Sequence, residues 1–564
     1  MKPGLLLAAM LAVVLVGCKL PGENQDFNQL EDEFVHGALA LSPVSATAAG
    51  YHVHNGKRLD EMLDDFSLIG IGEQRHFFRS LHDRMEVIKQ DSLDPEQKAD
   101  YRLMDDQVVL ALMEVNLIRS YVHNPTVYVE LVGNALFSPF VLEYAPKPER
   151  YRHIVKRLER VPVLMLEGRQ ALRDSPEIWI QVALEENEGN INLIDKTLRA
   201  GAPPELKADY DKAAAGALDA LRKYDDFLKT DLSKKPASWR LGKEKYDLKF
   251  KSTLDVGKTP DQVLAEAEAA LKSIQEEMKK LAGSKSIVEA LNEIAQQHAT
   301  PATYMDEAKH DLQQATDFVK SKNLVPLPAG GNLQVIDTPE FMRGIYGVGG
   351  FNPAPALEPQ LGAFYWITPI PASWPPERVE SKLREYNTYG LQELTVHEAM
   401  PGHYVQFQYA NKVEPETRRL LRGLFSNGPY VEGWAVYTQQ FMSDEGYLNG
   451  SVPLRMTFLK QMLRVTTNAI MDIRMQTLDM SDEEAMDLMI NQGYQEKEEA
   501  VAKLQRAKLS SCQLPMYFVG WRGWLGVRDG YKKQKGSAFN LTDFHASALK
   551  ESAVPLPSLG QLLK

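Results

Sequence analysis

His397-Glu398-Ala399-Met400-Pro401-Gly402-His403 is the stretch on which the reading of this chain turns. Two imidazoles, a carboxylate beside the first and a Pro-Gly pair before the second are the groups that hold a metal ion and move a proton near it. Histidines that share one face of a regular helix for this purpose lie four apart. Here they lie six apart. Six steps of about 100° leave the second side chain roughly 120° away from the first in an unbroken helix. Pro401 offers the escape: it has no N–H for the carbonyl of His397, and its ring clashes with that carbonyl, so the helix must kink or loop out. Gly402 tolerates the backbone angles of the detour. The expectation is a broken helix that swings His403 back beside His397.

The helix that carries this motif is expected to begin near Thr388, with Leu391, Leu394 and Ala399 facing inward, and to resume over Tyr404 to Tyr409. Asn427-Gly428-Pro429 is a breaker that can reverse the chain, and Glu432 follows it, 29 residues beyond His403. A hydrolytic zinc takes three nitrogen or oxygen ligands and keeps one open position for water. His397, His403 and Glu432 would supply the three, and Glu398 would serve as general base. On the residues alone, surface histidines or a polar core network remain open, as do a capping or solvent-facing Glu432 and core roles for Trp434 and Tyr437.

Upstream, residues 84 to 310 show helical periodicity, as in Arg102 to Ser120 and Pro204 to Leu228. Thr259-Pro260-Asp261-Gln262 is a capped helix start that opens an amphipathic run through Leu281. Glycines and prolines crowd residues 324 to 376, where Leu333 to Ile336 and Phe364 to Thr368 are short β-rich runs. A small sheet is expected beside the motif helix, either with a free edge for an extended peptide or as an internal hairpin. Downstream helices are expected over 453 to 478 and 481 to 509, the second opened by a capping box from Ser481 to Glu484.

The chain has 564 residues, 44% apolar and 25% charged, with a net charge of −12, which argues against a nucleic-acid partner. At the N-terminus Lys2 precedes an apolar run from Leu5 to Val16, too short to span a bilayer but right for a secretory signal. It ends in Leu15-Val16-Gly17-Cys18, which resembles a bacterial lipobox, so Cys18 is expected to carry the lipid that anchors the mature chain. Lys19 favours the outer membrane, facing the periplasm; the alternative is an uncleaved buried helix. The expected division is signal 1–17, anchor and polar lead-in 18–60, helical region 61–323 and catalytic region 324–564. With Cys18 lipidated, Cys512 has no disulfide partner and is either a small buried hydrophobe or a reactive thiol.

HEAMPGHYVQ at 397–406, EGWAVY at 432–437, and Gln513, Tyr517, Gly520 and Arg528 at their mutual spacing resemble the bacterial domain-of-unknown-function 885 family. That family is grouped with zinc-dependent metallopeptidases of mainly helical, zincin-like fold. The resemblance implies one zinc per chain held by His397, His403 and Glu432, with Glu398 as general base. It likens Tyr517 to a phenol that donates to an oxyanion, or else to a buried structural tyrosine. Gln513 would face substrate, and Arg528 would clamp a substrate carboxylate or make a structural ion pair. His545 fits the family's terminal pattern without an assigned role.

The sequence also departs from that pattern. It has Gln476 where a histidine is usual, Cys512 before Gln513, Lys503 and Ala507 around Arg506, and Gln439 after the EGWA segment. The ligands and base are untouched while the substrate-facing shell is altered. The favoured reading is a periplasm-facing lipoprotein that hydrolyses peptide or related amide bonds. The alternative is a lipoprotein that binds peptides or envelope components without turnover. A hydrolase using Cys512 ranks below both, because no histidine lies near it in sequence.

Overall fold

The computed structural model describes residues 27–343 and 347–564, so the signal run and Cys18 lie outside the described residues. The fold is mainly α-helical with a small sheet. No helix among the described residues is long and apolar enough to cross a membrane. Capping boxes open helices where expected: Thr259 with Gln262 at Pro260–Ala282, and Ser481 with Glu484 at Asp482–Asp487. The helix Val452–Thr477 is buried on nearly every face and packs against Pro260–Ala282 and Pro515–Lys535.

Two expectations change here. The polar lead-in gives way from Phe27 onward to helices Phe27–Leu41 and Pro43–Ala49. Phe27, Leu30, Phe34, Val35 and Leu39 enter one apolar cluster with Met104, Leu420 and Leu421. Their spacing of three and four is the helical period. The helix expected over 481 to 509 is interrupted after Gln492, where Tyr494 adopts a left-handed φ of 56°, and resumes at Lys497.

The sheet has strands β1 (Leu333–Asp337), β2 (Gly349–Asn352) and β3 (Ala363–Ile367) in the order β1-β3-β2. β3 is central, parallel to β1 and antiparallel to β2, and buried on both faces. The Phe364 to Thr368 run therefore offers no free edge. The edges belong to β1 and β2; the Gly-Gly-Phe-Asn sequence of β2 lacks β-branched residues and so gives no strand signal. Tyr365 of β3 hydrogen-bonds Thr395 Oγ1 at 3.1 Å, which fixes the sheet against the motif helix. Five helices surround the histidines: α1 (Thr388–Glu398), α2 (His403–Ala410), α3 (Gly428–Asp444), α4 (Lys497–Leu509) and α5 (Pro515–Lys535).

Candidate metal centre

Asn387 caps α1 by accepting from the N–H groups of Tyr389 and Gly390. The helix closes where Ala399 and Met400 both donate to the Thr395 carbonyl, at 2.9 and 3.1 Å, and α2 starts at His403. Gly402 has a φ of −69° and a ψ of −130°, outside the extended and right-handed helical regions, so the detour uses the backbone freedom expected of a glycine. Space demands a glycine as well: a Cβ would sit 1.8 Å from the carbonyl oxygen of His397. Trp434 of α3, fully buried, braces the break by donating its indole N–H to the carbonyls of Pro401 and Gly402 at 3.1 and 3.2 Å.

The break brings the imidazoles together, with ring centroids 4.9 Å apart and planes perpendicular. His397 Nε2 and His403 Nε2 stand 3.6 and 3.5 Å from the same oxygen, Oε2 of Glu432. One ligand atom from each of these residues lies within 4.8 Å of the others. Those gaps are too long for hydrogen bonds. They resemble the roughly 3.3–3.4 Å between neighbouring atoms bound tetrahedrally at about 2.0–2.1 Å, so the set fits zinc. Glu432 Oε2 and His403 Nδ1 are buried without hydrogen-bond partners among the described residues. Burial alone would raise the Glu432 carboxyl, but the two imidazoles outweigh it and hold the group well below the usual carboxylate range. A second group, His82, Asp83 and Glu86, sits largely exposed along one helix and its end, as solvated faces do.

Glu398 follows His397 at the end of α1 and accepts from the backbone N–H of Phe351 on β2. Burial pushes its carboxyl up to about 7; Glu432 reinforces this, while His397, Arg506 and the Phe351 N–H oppose it. Across the site α5 packs against α3 with backbone touching backbone: a Cβ on Gly433 would lie 2.4 Å from Gly520. That contact sets the Tyr517 ring near-parallel to His397, with centroids 6.2 Å apart. The Tyr517 hydroxyl meets Arg506 Nη2 at 3.2 Å and Gln513 Nε2 at 3.3 Å, and burial pushes its pKa up to about 12. Arg506 Nη2 also donates to Gln513 Oε1 at 3.0 Å. Sequence reasoning noted Arg506 only as a position between departures, and its place beside Tyr517 follows from α4 meeting the start of α5.

Other named residues lie elsewhere. Arg528 is 11 residues past Tyr517, about 16 Å along the helix at 1.5 Å per residue. It pairs with Asp529 at 3.2 Å and lies over the Tyr437 ring, so nothing aims it at the histidines. His545 is buried between Tyr437 and the Leu324 carbonyl, and burial lowers its pKa to about 4. Gln439 and Gln476 direct their amides to backbone groups. Cys512 is fully buried, and burial pushes its thiol well above the ordinary range, which removes the thiolate a nucleophile needs.

Past Phe407 and Asn352 a cavity of about 670 Å³ opens between the sheet and the N-terminal helices, walled by Phe66, Phe137, Trp366 and Phe425. A larger one of about 730 Å³, between α5 and the C-terminal helix Leu556–Leu562, contains none of the metal-centre side chains.

The family described as bacterial protein of unknown function (DUF885) matches residues 43–563. Two solved structures are similar over 96% of this chain. One, described as a candidate lipoprotein of unknown function from Shewanella oneidensis, is 27% identical, covered over 100% of its length, with a TM-score of 0.78. The other, a candidate lipoprotein from Colwellia psychrerythraea, is 17% identical, covered over 99%, with a TM-score of 0.79, a likeness of fold. No curated protein matches the chain significantly.

Proposed function

The chain belongs to the DUF885 family of bacterial proteins, and from that premise and the geometry of its metal centre we propose that it is a zinc-dependent hydrolase of peptide or related amide bonds. The observation that carries this reading is the convergence of His397 Nε2 and His403 Nε2 on one oxygen of Glu432, at 3.6 and 3.5 Å, with Glu398 beside them. When bound there, zinc would polarise an acyl oxygen and make water at the open position more acidic. Glu398, oriented by the Phe351 N–H and raised to about 7, takes the proton of the attacking water and returns it to the leaving amine. Tyr517, protonated up to about 12, donates to the oxyanion that develops on the carbonyl. The cavity beyond Phe407 leaves room for side chains on the substrate.

Zinc analysis after supplementation should find one ion per chain, lost in His403→Ala and Glu432→Ala; metal-free wild-type protein would overturn the reading. Glu398→Gln should keep the metal and lose on the order of 10²–10⁴-fold in turnover. Tyr517→Phe should lower kcat/KM by on the order of 10²-fold, and an unchanged value removes the oxyanion role. We also place the enzyme at the periplasmic face of the envelope, on a lipid anchor at Cys18. The Leu15-Val16-Gly17-Cys18 run and the description of the Shewanella relative support this. Palmitate labelling should vanish in Cys18→Ala.

A further inference from the structure

One turn before Arg506 on α4, Lys503 is only 6% exposed and makes no hydrogen bond or ion pair among the described residues. A buried ammonium without an anion is costly. Of the two acids whose charge reaches it, Glu499, a turn earlier, is bonded to Arg464, and Glu432 faces the two histidines. Burial pushes the Lys503 ammonium well below its ordinary range; the charges of Arg464 and Arg506 add to this, while Glu499 and Glu432 oppose it. Arg506 spends only Nη2, on Gln513 and Tyr517, and its Nε and Nη1 make no hydrogen bond among the described residues.

The wall also lies close to the proposed chemistry. Arg506 touches Tyr517, whose ring lies against His397, and its charge bears on both Glu398 and Glu432. An anion received there would sit beside the Tyr517 phenol, whose ring lies against His397. A guanidinium with two donors free presents the planar fork that matches a carboxylate, and the ammonium beside it adds a point charge.

We propose that Lys503 and Arg506 form an anion subsite that receives a carboxylate carried by the substrate residue next to the scissile bond. The word substrate rests on the hydrolase reading above; the subsite itself rests on the unpaired cations. The carboxylate has two sources, a free C-terminus or an acidic side chain. This moves carboxylate recognition from Arg528, which the fold turns elsewhere, to α4.

The test is calorimetric titration of zinc-loaded Glu398→Gln protein with four N-acetylated tripeptides. One has neutral side chains and a free C-terminus, and the second is its C-terminal amide. The third and fourth are amides ending in Glu and in Gln. At least one carboxylate-bearing peptide should bind about tenfold more tightly than its neutral counterpart, the worth of one charge-assisted contact. A preference for the free terminus assigns the terminal carboxylate, and a preference for Glu over Gln assigns the side chain. Adding Lys503→Met should erase the preference while zinc content stays unchanged. Equal affinities within both pairs, or no binding of any of the four, overturn the subsite without recourse to a variant at Lys503. Failure of the hydrolase reading would show separately, as zinc-loaded wild-type protein that turns over no peptide, with the binding contrast intact.

Discussion

Around Arg422 and around Glu432 the fold packs charged side chains between helices, and it treats them in opposite ways. Arg422 is 1% exposed, and each of its three guanidinium nitrogens has a partner: Asp100 at 2.6 Å, the Glu551 carbonyl at 2.7 Å and Glu96 at 2.6 Å. The second oxygen of Asp100 is taken by Arg418 at 2.7 Å. At Glu432 the opposing Nε2 atoms of His397 and His403 stop at 3.6 and 3.5 Å, and the carboxylate oxygen they face stays unspent. The first arrangement is closed and joins the helix Pro95–Met113 to Glu416–Leu424. The second is open, and its spare lone pairs converge on one point. A fold burdened with unsatisfied buried groups gains from whatever satisfies them, so openness with convergence marks a binding centre, whereas closure marks a structural one.

The closed member carries the largest expected effect. Arg422→Ala should destabilise the protein by about 3–5 kcal/mol, because it strands buried Asp100, read as a lower urea midpoint at unchanged slope. A small loss would mean that the circuit is not structural. The open member should behave inversely: with free zinc about a hundredfold above Kd, wild-type protein should gain about 2.7 kcal/mol. Glu432→Gln should lose that response to zinc and chelator while keeping its metal-free melting temperature.

Glu186 adds a third case, open but without convergence. Both its oxygens are buried and unpartnered among the described residues, yet its charged neighbours are Glu130 and Glu185, with no imidazole to converge on. Burial first, and those two acids second, push its carboxyl up to about 9. Protonated Glu186 therefore favours the folded state fully below about 4.5, and that stability is lost as pH rises toward about 9. Glu186→Gln should flatten the stability profile across that window and gain about 1–3 kcal/mol at its alkaline end, with zinc content untouched.

Much of the site could be read before any coordinates. The start of α1 at Thr388, the break at Pro401 and the return of His403 all follow from local rules that involve a few neighbouring residues. Glu432 needed only a chain reversal, which Asn427-Gly428-Pro429 advertises by capping α3. Lys503 stands out in the sequence only as a departure beside Arg506, because the place of both arises where α4 meets the start of α5, two segments whose sequences carry no mark of the encounter. β2 stayed hidden because glycines dilute its strand pattern. The helix Phe27–Leu41 did carry its signal in Phe27, Leu30, Phe34 and Val35, and polar residues between them masked it.

The contact between Gly433 and Gly520 has a mechanical consequence. Glu432 is the neighbour of one glycine and Tyr517 lies one turn before the other, so a carboxylate and a phenol on different helices share a single hinge pin. One methyl at either glycine would act as a wedge, prying the phenol away from the histidines while removing none of the groups of the proposed chemistry. The spacing of the site is thus set by two residues that have no side chain at all.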